Sequence, residues 1–298
     1  MESMHIPSRR FAVVACRVLW REIAGAAAAL PHSYDLRFLR QGLHNSPELL
    51  RSELQAAVDG ASAAVAPGLP ADKAAAGSSW SSCAPAPLKP EAILVGYGLC
   101  SNGLAGIEAR DVPLVAPRAH DCVTFLLGSK ERYREIFDAG PGTYWYSPGW
   151  IETGTQPGHE RTEALRREYR ERYGEENADY LMEMEQDWMK KYNTCAYVSL
   201  GGFDDSAYRA YSRECAEYMG WTYREPGGDP GLLRDFLAGE WDDERFLVVP
   251  PGRRIAASFD ESIVELERPS RREDQVRLAK IGTADQRGAQ TASDFLKV

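Results

Sequence analysis

The sequence contains no apolar run of the length that a membrane-spanning helix requires, about 18 residues or more. The N-terminal apolar run, residues 11–16, ends at Arg17 and is too short for the core of a secretory signal peptide. Acidic residues outnumber basic ones. The sequence has 35 Lys and Arg and 44 Asp and Glu, which gives a formal net charge of −9. This balance argues against nucleic acid or an anionic membrane surface as a main partner. We therefore expect a cytoplasmic protein with neither nucleic-acid nor membrane partners.

Two local sequence signatures are also missing. The six cysteines include no Cys-x-x-Cys pair, so no short zinc motif is present. The turn GYGLCSNG (96–103) does not complete G-x-G-x-x-G, because Ser101 occupies the third glycine position, and no P-loop lysine follows. Nucleotide binding is therefore disfavoured, and Gly96 and Gly98 are interpreted as points where the backbone passes close to a bound ligand or ion. In a reducing compartment the cysteines are expected to bind metal or take part in catalysis rather than form disulfides.

Short apolar segments alternate with amphipathic ones along the chain. The pattern predicts strands at 11–16, 34–39, 92–98, 112–117, 196–202, 221–226 and 245–251, and an aromatic strand followed by a loop at 142–152. Helices are predicted at 18–30, 46–58, 104–110, 123–137, 159–173, 175–191 and 205–219. This alternation predicts an α/β fold with a doubly wound, mostly parallel sheet built from Rossmann-like βα units, and it leaves open a division into two lobes.

The predicted domain organisation follows from changes in composition. Residues 1–59 and 91–157 form an N-terminal α/β lobe, and residues 158–267 form a C-terminal α/β lobe with a helical insert. Residues 60–90 are rich in alanine, proline, glycine and serine and are predicted to be a low-complexity linker or loop insertion. Residues 268–298 are predicted to be a flexible tail.

Four potential metal ligands follow three of the predicted strands. Cys16 ends the first strand, Cys100 follows the third, and His120 and Cys122 follow the fourth. Ligands of parallel sheets bind beyond the carboxyl ends of the strands, so these side chains are expected to meet. Two cysteines and one histidine form a known catalytic zinc set. The sequence thus predicts a transition-metal site, zinc in preference to iron or an iron–sulfur cluster, although spacing alone leaves open that the cysteines only pack in the core.

The other candidate residues have competing interpretations. His120 and Asp121 are the candidate catalytic residues: His120 as metal ligand or base, and Asp121 either as a carboxylate that orients it or as a helix cap. The cysteines assigned no role in the site are Cys83 in the linker, Cys195 at the start of a strand and Cys215 within a helix. Asp204 and Asp205 are interpreted as helix caps, with a supporting carboxylate or a substrate contact as the alternative. Tyr144, Trp145, Tyr146 and Trp150 are candidates to line an apolar pocket, and Leu181, Met184, Trp188 and Met189 are interpreted as core packing.

Three segments carry a family resemblance. GYGLCSNGL (96–104), VPLVAPRAHDCVTFLLGSKERY (112–133) and GTYWYSPGWIE (142–152) resemble a prokaryotic family of unknown function, DUF1638, over about residues 11–249. The resemblance implies a context of one-carbon or methylamine-type metabolism, since the family is often encoded near corrinoid-dependent methyltransferases. Such a methyltransferase is an implied partner, and a corrinoid an implied cofactor held by that partner. Relatives carry small residues after the first strand, so Arg17 is expected to alter access to the site.

Two functional hypotheses result. The first is a metal-binding protein that acts on a small-molecule substrate, either as a metal-dependent enzyme or as an accessory factor of corrinoid methyl transfer. The second is a non-catalytic module that binds a small molecule or docks on another protein, with its cysteines buried in the core.

Overall fold

A five-stranded sheet forms the centre of the computed structural model, which describes residues 8–63, 89–140 and 142–268. Its strands, in spatial order, are β2 (Ser33–Leu39), β1 (Arg10–Cys16), β3 (Ala92–Gly96), β4 (Leu114–Pro117) and β8 (Phe246–Val249). The first four strands are parallel, and β8 runs antiparallel to β4. The predicted mixed α/β fold with a mostly parallel central sheet is therefore confirmed.

The central strands are buried on both faces. β1 is buried from Phe11 to Cys16, and every residue of β3 is buried. Continuous apolar runs of this kind suit a parallel sheet that is covered on both sides, because neither face can carry polar side chains. In register, Val13 lies between Leu36 of β2 and Leu94 of β3.

Two smaller sheets complete the strand set of the described residues. The first is parallel and consists of β5 (Thr143–Tyr146), β6 (Thr194–Tyr197) and β7 (Thr222–Arg224). The second is the antiparallel pair β9 (Ile255–Ala257) and β10 (Val264–Leu266). Strand β8 follows the three-stranded sheet in sequence, so the chain returns to the central sheet near the end of the predicted C-terminal lobe.

Nine α-helices connect the strands of the described part. They are α1 (Trp20–Ala28), α2 (Pro47–Ser62), α3 (Val123–Leu127), α4 (Lys130–Ala139), α5 (Pro148–Thr153), α6 (His159–Tyr173), α7 (Glu175–Gln186), α8 (Ser206–Met219) and α9 (Gly231–Ala238). Short 3₁₀ turns occur at Arg17–Leu19, Leu43–Asn45 and Asp187–Lys191. The helix predicted at 175–191 thus ends earlier, at Gln186, and continues as a 3₁₀ turn.

The helix predicted at 104–110 is wrong. The backbone N–H of Gly106 donates to the carbonyl of Ile255, and that of Ala109 donates to the carbonyl of Arg253. Gly106 also has a φ of 91°, which lies outside the right-handed helical region. The backbone groups of this segment pair with a distant part of the chain, so they are not available for a helical ladder.

The helix predicted at 123–137 is divided in two. Gly128 adopts the left-handed conformation and ends α3, and the Ser129 side chain accepts a hydrogen bond from Arg132 N and caps α4. The loop predicted after the aromatic strand is instead the helix α5. Its N-terminus carries Ser147, which caps Trp150 N, and a proline at the first helical position.

The predicted linker overlaps the end of a helix, because α2 extends through Ser62. The rest of this linker between 64 and 88 lies outside the described residues, as does the predicted tail from 269 onward.

Two hydrophobic clusters form the core, and α5 packs against both, through Trp150 and Ile151. The larger cluster surrounds the central sheet, and the smaller one packs around β6 and α8. Gly149 of α5 approaches the turn after β1 so closely that a Cβ atom there would lie 1.9 Å from the Val18 carbonyl oxygen. The Glu152 carboxylate of α5 accepts hydrogen bonds from Trp20, Arg21 and Tyr208. These contacts hold α5 and α8 against the turn after β1 and the start of α1.

Candidate functional site

A cavity of about 870 Å³ lies between the carboxyl ends of the central strands and the three-stranded sheet, which lines it through β5. Its wall on the side of the central sheet includes Cys16, Cys100, His120 and Cys122, the four side chains predicted as metal ligands. The opposite wall is formed by residues of β5, α5, α6 and α7 and the 3₁₀ turn after α7. All four predicted ligands, from three separate chain segments, are thus brought to one cavity.

Backbone pairing beyond the strand ends positions the cysteines. Leu99 N donates to the Ala119 carbonyl at 2.8 Å, and Cys100 N donates to the His120 carbonyl at 2.9 Å. A Cβ atom on Gly98 would lie 2.5 Å from Asp121 N, and one on Gly96 would lie 2.6 Å from the Ala15 Cβ. The two glycines are therefore required for close approach between neighbouring chain segments.

The turn that carries Cys100 has an unusual backbone. Cys100, Ser101 and Asn102 have positive φ values of 44°, 57° and 68°, and Gly103 N closes the turn on the Cys100 carbonyl at 3.1 Å. This conformation costs L-residues about 1–2 kcal/mol each, and such strain concentrates at functional sites. The strained turn places both Cys100 and Ser101 in the cavity wall.

The three cysteines interact with one another. The pKa of the Cys16 thiol is raised well above its usual range by a hydrogen bond to Cys122 and by burial. The pKa of the Cys122 thiol is likewise raised, chiefly by a hydrogen bond to Cys100. All three residues are 8 % exposed or less. The raised pKa values keep both Cys16 and Cys122 as neutral thiols near pH 7.

Tyr97 lies beside this cluster. The residue is 2 % exposed, and its hydroxyl has no hydrogen-bond partner of normal geometry in the described part of the chain. Burial raises the pKa of Tyr97 far above its usual range, and the proximity of Cys16, Cys122 and Cys100 raises it further. No sequence pattern singles out Tyr97, because a tyrosine that follows a buried strand is ordinarily a core residue.

Asp121 serves mainly as a cap. Its carboxylate accepts a hydrogen bond from Val123 N at 3.0 Å at the start of α3. Burial raises the pKa of the Asp121 carboxyl, while a hydrogen bond from Tyr133 acts in the opposite direction. His120 is exposed at the cavity, with its ring centroid 6.5 Å from that of Tyr133.

His44 is a cavity residue that the sequence analysis missed. It lies in the 3₁₀ turn that follows β2, and Gln41 and Asn45 of the same segment also line the cavity. Partial burial lowers the pKa of the His44 imidazole, and the nearby Asp121 carboxylate opposes that shift. A second imidazole therefore accompanies His120 in the cavity wall.

Aromatic side chains dominate the opposite wall. The residues are Tyr144, Trp145, Trp150, Trp188 and Tyr192. Tyr144 packs against Tyr192 with ring centroids 5.3 Å apart, and Trp188 lies 5.7 Å from Tyr192. Arg161 also reaches the cavity, stacked 5.6 Å from the centroid of Trp188 and paired with Glu185.

The pocket prediction holds for three of the four aromatic candidates. The exception is Tyr146, which is fully buried and donates its hydroxyl hydrogen to the Pro157 carbonyl. The interpretation of the helical residues as core packing is correct for Met189. By contrast, Met184 is 59 % exposed and Trp188 lines the cavity.

Other sequence candidates lie away from the cavity. Cys195 and Cys215 are buried in the smaller hydrophobic cluster, and Cys83 lies outside the described residues. Arg17 is exposed, and its neighbours Cys16 and Val18 line the cavity instead. The Asp204 carboxylate accepts a hydrogen bond from Ser206 N at the start of α8, and Asp205 pairs with Arg209.

The side chains as placed do not form a metal-binding geometry. Within residues 8–63, 89–140 and 142–268, no group of three or more His, Cys, Asp and Glu side chains is arranged so that it could hold an ion. In the same part of the chain, no helix has the length and apolar character needed to cross a membrane.

A protein-family model, described as a protein of unknown function (DUF1638), matches residues 38–237. The chain belongs to the DUF1638 family. The match is shorter than the resemblance expected from residues 11–249, and it includes Cys100, His120 and Cys122 but not Cys16. No curated protein and no solved structure matches this DUF1638 chain.

Proposed function

We propose that this DUF1638 protein binds a transition metal through Cys16, Cys100 and Cys122, with His120 as a fourth ligand or a base. The single observation that carries the proposal is the meeting of three buried cysteines, from three separate chain segments, in the wall of one large cavity. The strained turn at Cys100 adds to this observation, because strained backbone concentrates at functional sites.

The ligand chemistry favours zinc over iron. Tetrahedral zinc has Zn–S bonds of about 2.3 Å, which separates neighbouring sulfurs by about 3.8 Å. Cys16, Cys100 and Cys122 supply three thiol donors to one cavity wall, although as placed among the described residues they do not form that arrangement. Thiolate and imidazole groups are also the set that zinc prefers.

The fold supports the position of the site. The strand order β2-β1-β3-β4 supports the doubly wound arrangement that we propose, because the direction of the connections reverses between β1 and β3. In such sheets ligands bind outside the carboxyl ends of the strands at the reversal point. Cys16 and Cys100 follow β1 and β3, the two strands that flank this point.

The aromatic wall supplies the substrate-binding half of the proposal. A cavity of about 870 Å³ is large enough for a small-molecule substrate, and aromatic side chains bind the apolar part of such a ligand. We assign the reaction to one-carbon or methylamine-type metabolism, with a corrinoid methyltransferase as partner, on the strength of the family resemblance. The five described cysteines are free thiols, which suits a reducing compartment such as the cytoplasm.

The alternative is a binding module without a metal. It is favoured by the absence of a preformed metal-binding geometry among the described side chains. In that case the aromatic wall binds a small molecule, and the cysteines contribute apolar packing.

Elemental analysis after anaerobic purification distinguishes the metal-binding protein from the binding module without a metal. The metal proposal predicts close to one equivalent of zinc in the unaltered protein and in Cys195→Ser, and a large loss in Cys100→Ser with the fold retained. His120→Ala and Cys122→Ala should each lower occupancy by about tenfold or more. Far less than one equivalent of any transition metal in the unaltered protein would exclude the metal site and leave the binding module.

A further inference from the structure

One guanidinium lies in the aromatic wall of the cavity. Among the described residues that line the cavity, Arg161 of α6 is the one lysine or arginine. The two carboxylates in the same lining are already engaged, because Glu185 is paired with Arg161 and Asp121 accepts a hydrogen bond from Val123 N. The permanent positive charge of Arg161 is therefore the group of this wall that can select a ligand by charge.

The guanidinium of Arg161 is restrained on two sides. It lies 5.6 Å from the ring centroid of Trp188, and its Nη2 donates to the Glu185 carboxylate. A guanidinium carries five N–H donors, so this ion pair leaves donors for a second acceptor. Because stacking and pairing already restrict the side chain, a ligand that binds to it loses less affinity to side-chain ordering than one that binds to a free arginine.

Tyr144 of β5 supplies a second donor beside Arg161. Burial raises the pKa of Tyr144 to about 12, and the charge of Arg161 acts in the opposite direction, which places the guanidinium near the phenol hydroxyl. No hydrogen bond from the described residues contributes to this shift. The neutral hydroxyl and the guanidinium thus both offer hydrogens to the cavity, and a carboxylate is an acceptor that can use both.

Aromatic rings surround these two donors. The ring centroid of Tyr144 lies 5.3 Å from that of Tyr192 and 6.0 Å from that of Trp188, and all three residues line the cavity. Trp145 and Trp150 line it as well. Aromatic side chains favour offset-stacked or edge-to-face contacts with other rings, so this wall suits a flat, apolar ligand part next to the charged one.

We propose that the cavity binds a small-molecule carboxylate that carries a flat, apolar ring system, with the carboxylate accepting hydrogen bonds from Arg161 and Tyr144 and the ring against the aromatic wall. This inference rests on the small-molecule binding in the proposed function and names the class of that ligand. It requires no metal, so it applies both to the metal-binding protein and to the binding module.

Three probes with the same ring test the charge preference. Naphthoate, naphthamide and naphthylmethylammonium differ in the charge of the head group, and isothermal titration calorimetry measures the affinity of each for the full chain. Naphthoate should bind about tenfold more tightly than naphthamide, because hydrogen bonds between two charged groups are stronger than neutral ones. The ammonium probe should bind more weakly than naphthamide, because the guanidinium repels it.

Substitutions at the ion pair distinguish binding from a structural role. Arg161→Gln should weaken naphthoate binding by about tenfold and leave naphthamide binding within about twofold. Glu185→Gln keeps the guanidinium and removes the competing carboxylate, so it should bind naphthoate at least as tightly as the unaltered protein. Tyr144→Phe should weaken naphthoate binding by about threefold. Arg170→Gln is the matched control, because it breaks an exposed pair with Glu175 on the same two helices, outside the cavity lining.

Several results would overturn the inference. They are equal affinities for naphthoate and naphthamide, tightest binding of the ammonium probe, or no measurable binding of naphthoate. Equal losses of naphthoate binding in Arg161→Gln and Glu185→Gln would overturn it too, because they would give the ion pair a structural role only. Zinc content of the same preparations tests the metal site separately. Naphthoate binding by a protein without zinc rejects the metal site alone, and zinc in a protein that does not bind naphthoate rejects this inference alone.

Discussion

Gly98 lies against the backbone of Asp121, where a Cβ atom would be only 2.5 Å from the Asp121 nitrogen. Asp121 lies between His120 and Cys122 in the sequence. Cys100, two residues after Gly98, donates its backbone N–H to the His120 carbonyl. The contact therefore sets the distance between the two segments that carry Cys100 and Cys122.

Gly98→Ala should force these segments apart. We expect a loss of about 1–3 kcal/mol of stability, the range for overpacking, and a reduced metal content in protein that remains folded. Urea unfolding and elemental analysis measure the two effects.

Gly25→Ala is the control for that change. Gly25 is exposed within α1, and a Cβ atom there meets nothing within 4 Å. Alanine should stabilise this position by about 0.5–1 kcal/mol, because glycine is unfavourable inside a helix. A Gly98→Ala variant with unaltered stability and metal content would show that the two segments are free to separate.

Glu22 should make the stability of the protein depend on pH. The residue is 9 % exposed, one of its carboxylate oxygens has no partner in the described part, and burial raises its pKa to about 7. The folded state thus binds this proton more tightly than the unfolded state, so stability is lost as the pH rises from about 4.5 to 7. Above pH 7 the loss is constant, at about 3 kcal/mol.

Glu22→Gln isolates this contribution. The amide has the same shape and stays neutral, so the variant should match the unaltered protein near pH 4.5 and exceed its stability by up to about 3 kcal/mol at pH 8. Urea unfolding of both proteins across this pH range gives the difference. If the difference in unfolding free energy between the two proteins does not change with pH, the pKa of Glu22 is the same in the folded and unfolded states.

Glu152 should be important for the contacts that α5 makes with α1 and α8. It accepts hydrogen bonds from Trp20 Nε1 and Arg21 Nε of the α1 region and from the Tyr208 hydroxyl of α8, all between 2.5 and 2.9 Å. Glu152→Ala leaves these donors without an acceptor, which should cost about 1–3 kcal/mol in unfolding free energy. Asp187→Ala, which breaks an exposed pair with Lys190, should change it by less than about 1 kcal/mol. Equal effects would mean that Glu152 adds no more than a surface ion pair.

The strand-end rule accounts for the part of the site that could be predicted. Cys16, Cys100 and Cys122 follow buried apolar strands that are easy to recognise, and parallel strands bring their carboxyl ends to one edge. The same rule applied to β2 would have found His44, which lies just beyond Leu39. That strand is only partly buried and its sequence is mixed, which made its end a weaker signal.

The remaining features depend on contacts between distant residues. The aromatic wall faces the cysteines because α5 packs against α1, an arrangement that no local pattern encodes. The segment 104–110 has helical spacing, yet its backbone groups bond to residues around 253–255.

X-ray absorption at the zinc edge of the zinc-loaded protein tests the central claim most directly, because it counts the ligand atoms around the metal. The account predicts three sulfurs at about 2.3 Å and one nitrogen or oxygen at about 2.0–2.1 Å, with one sulfur fewer in Cys100→Ser and no change in Cys195→Ser. A shell of nitrogen and oxygen alone, or a sulfur count unaffected by Cys100→Ser, would contradict the assignment of Cys16, Cys100 and Cys122 as the ligands.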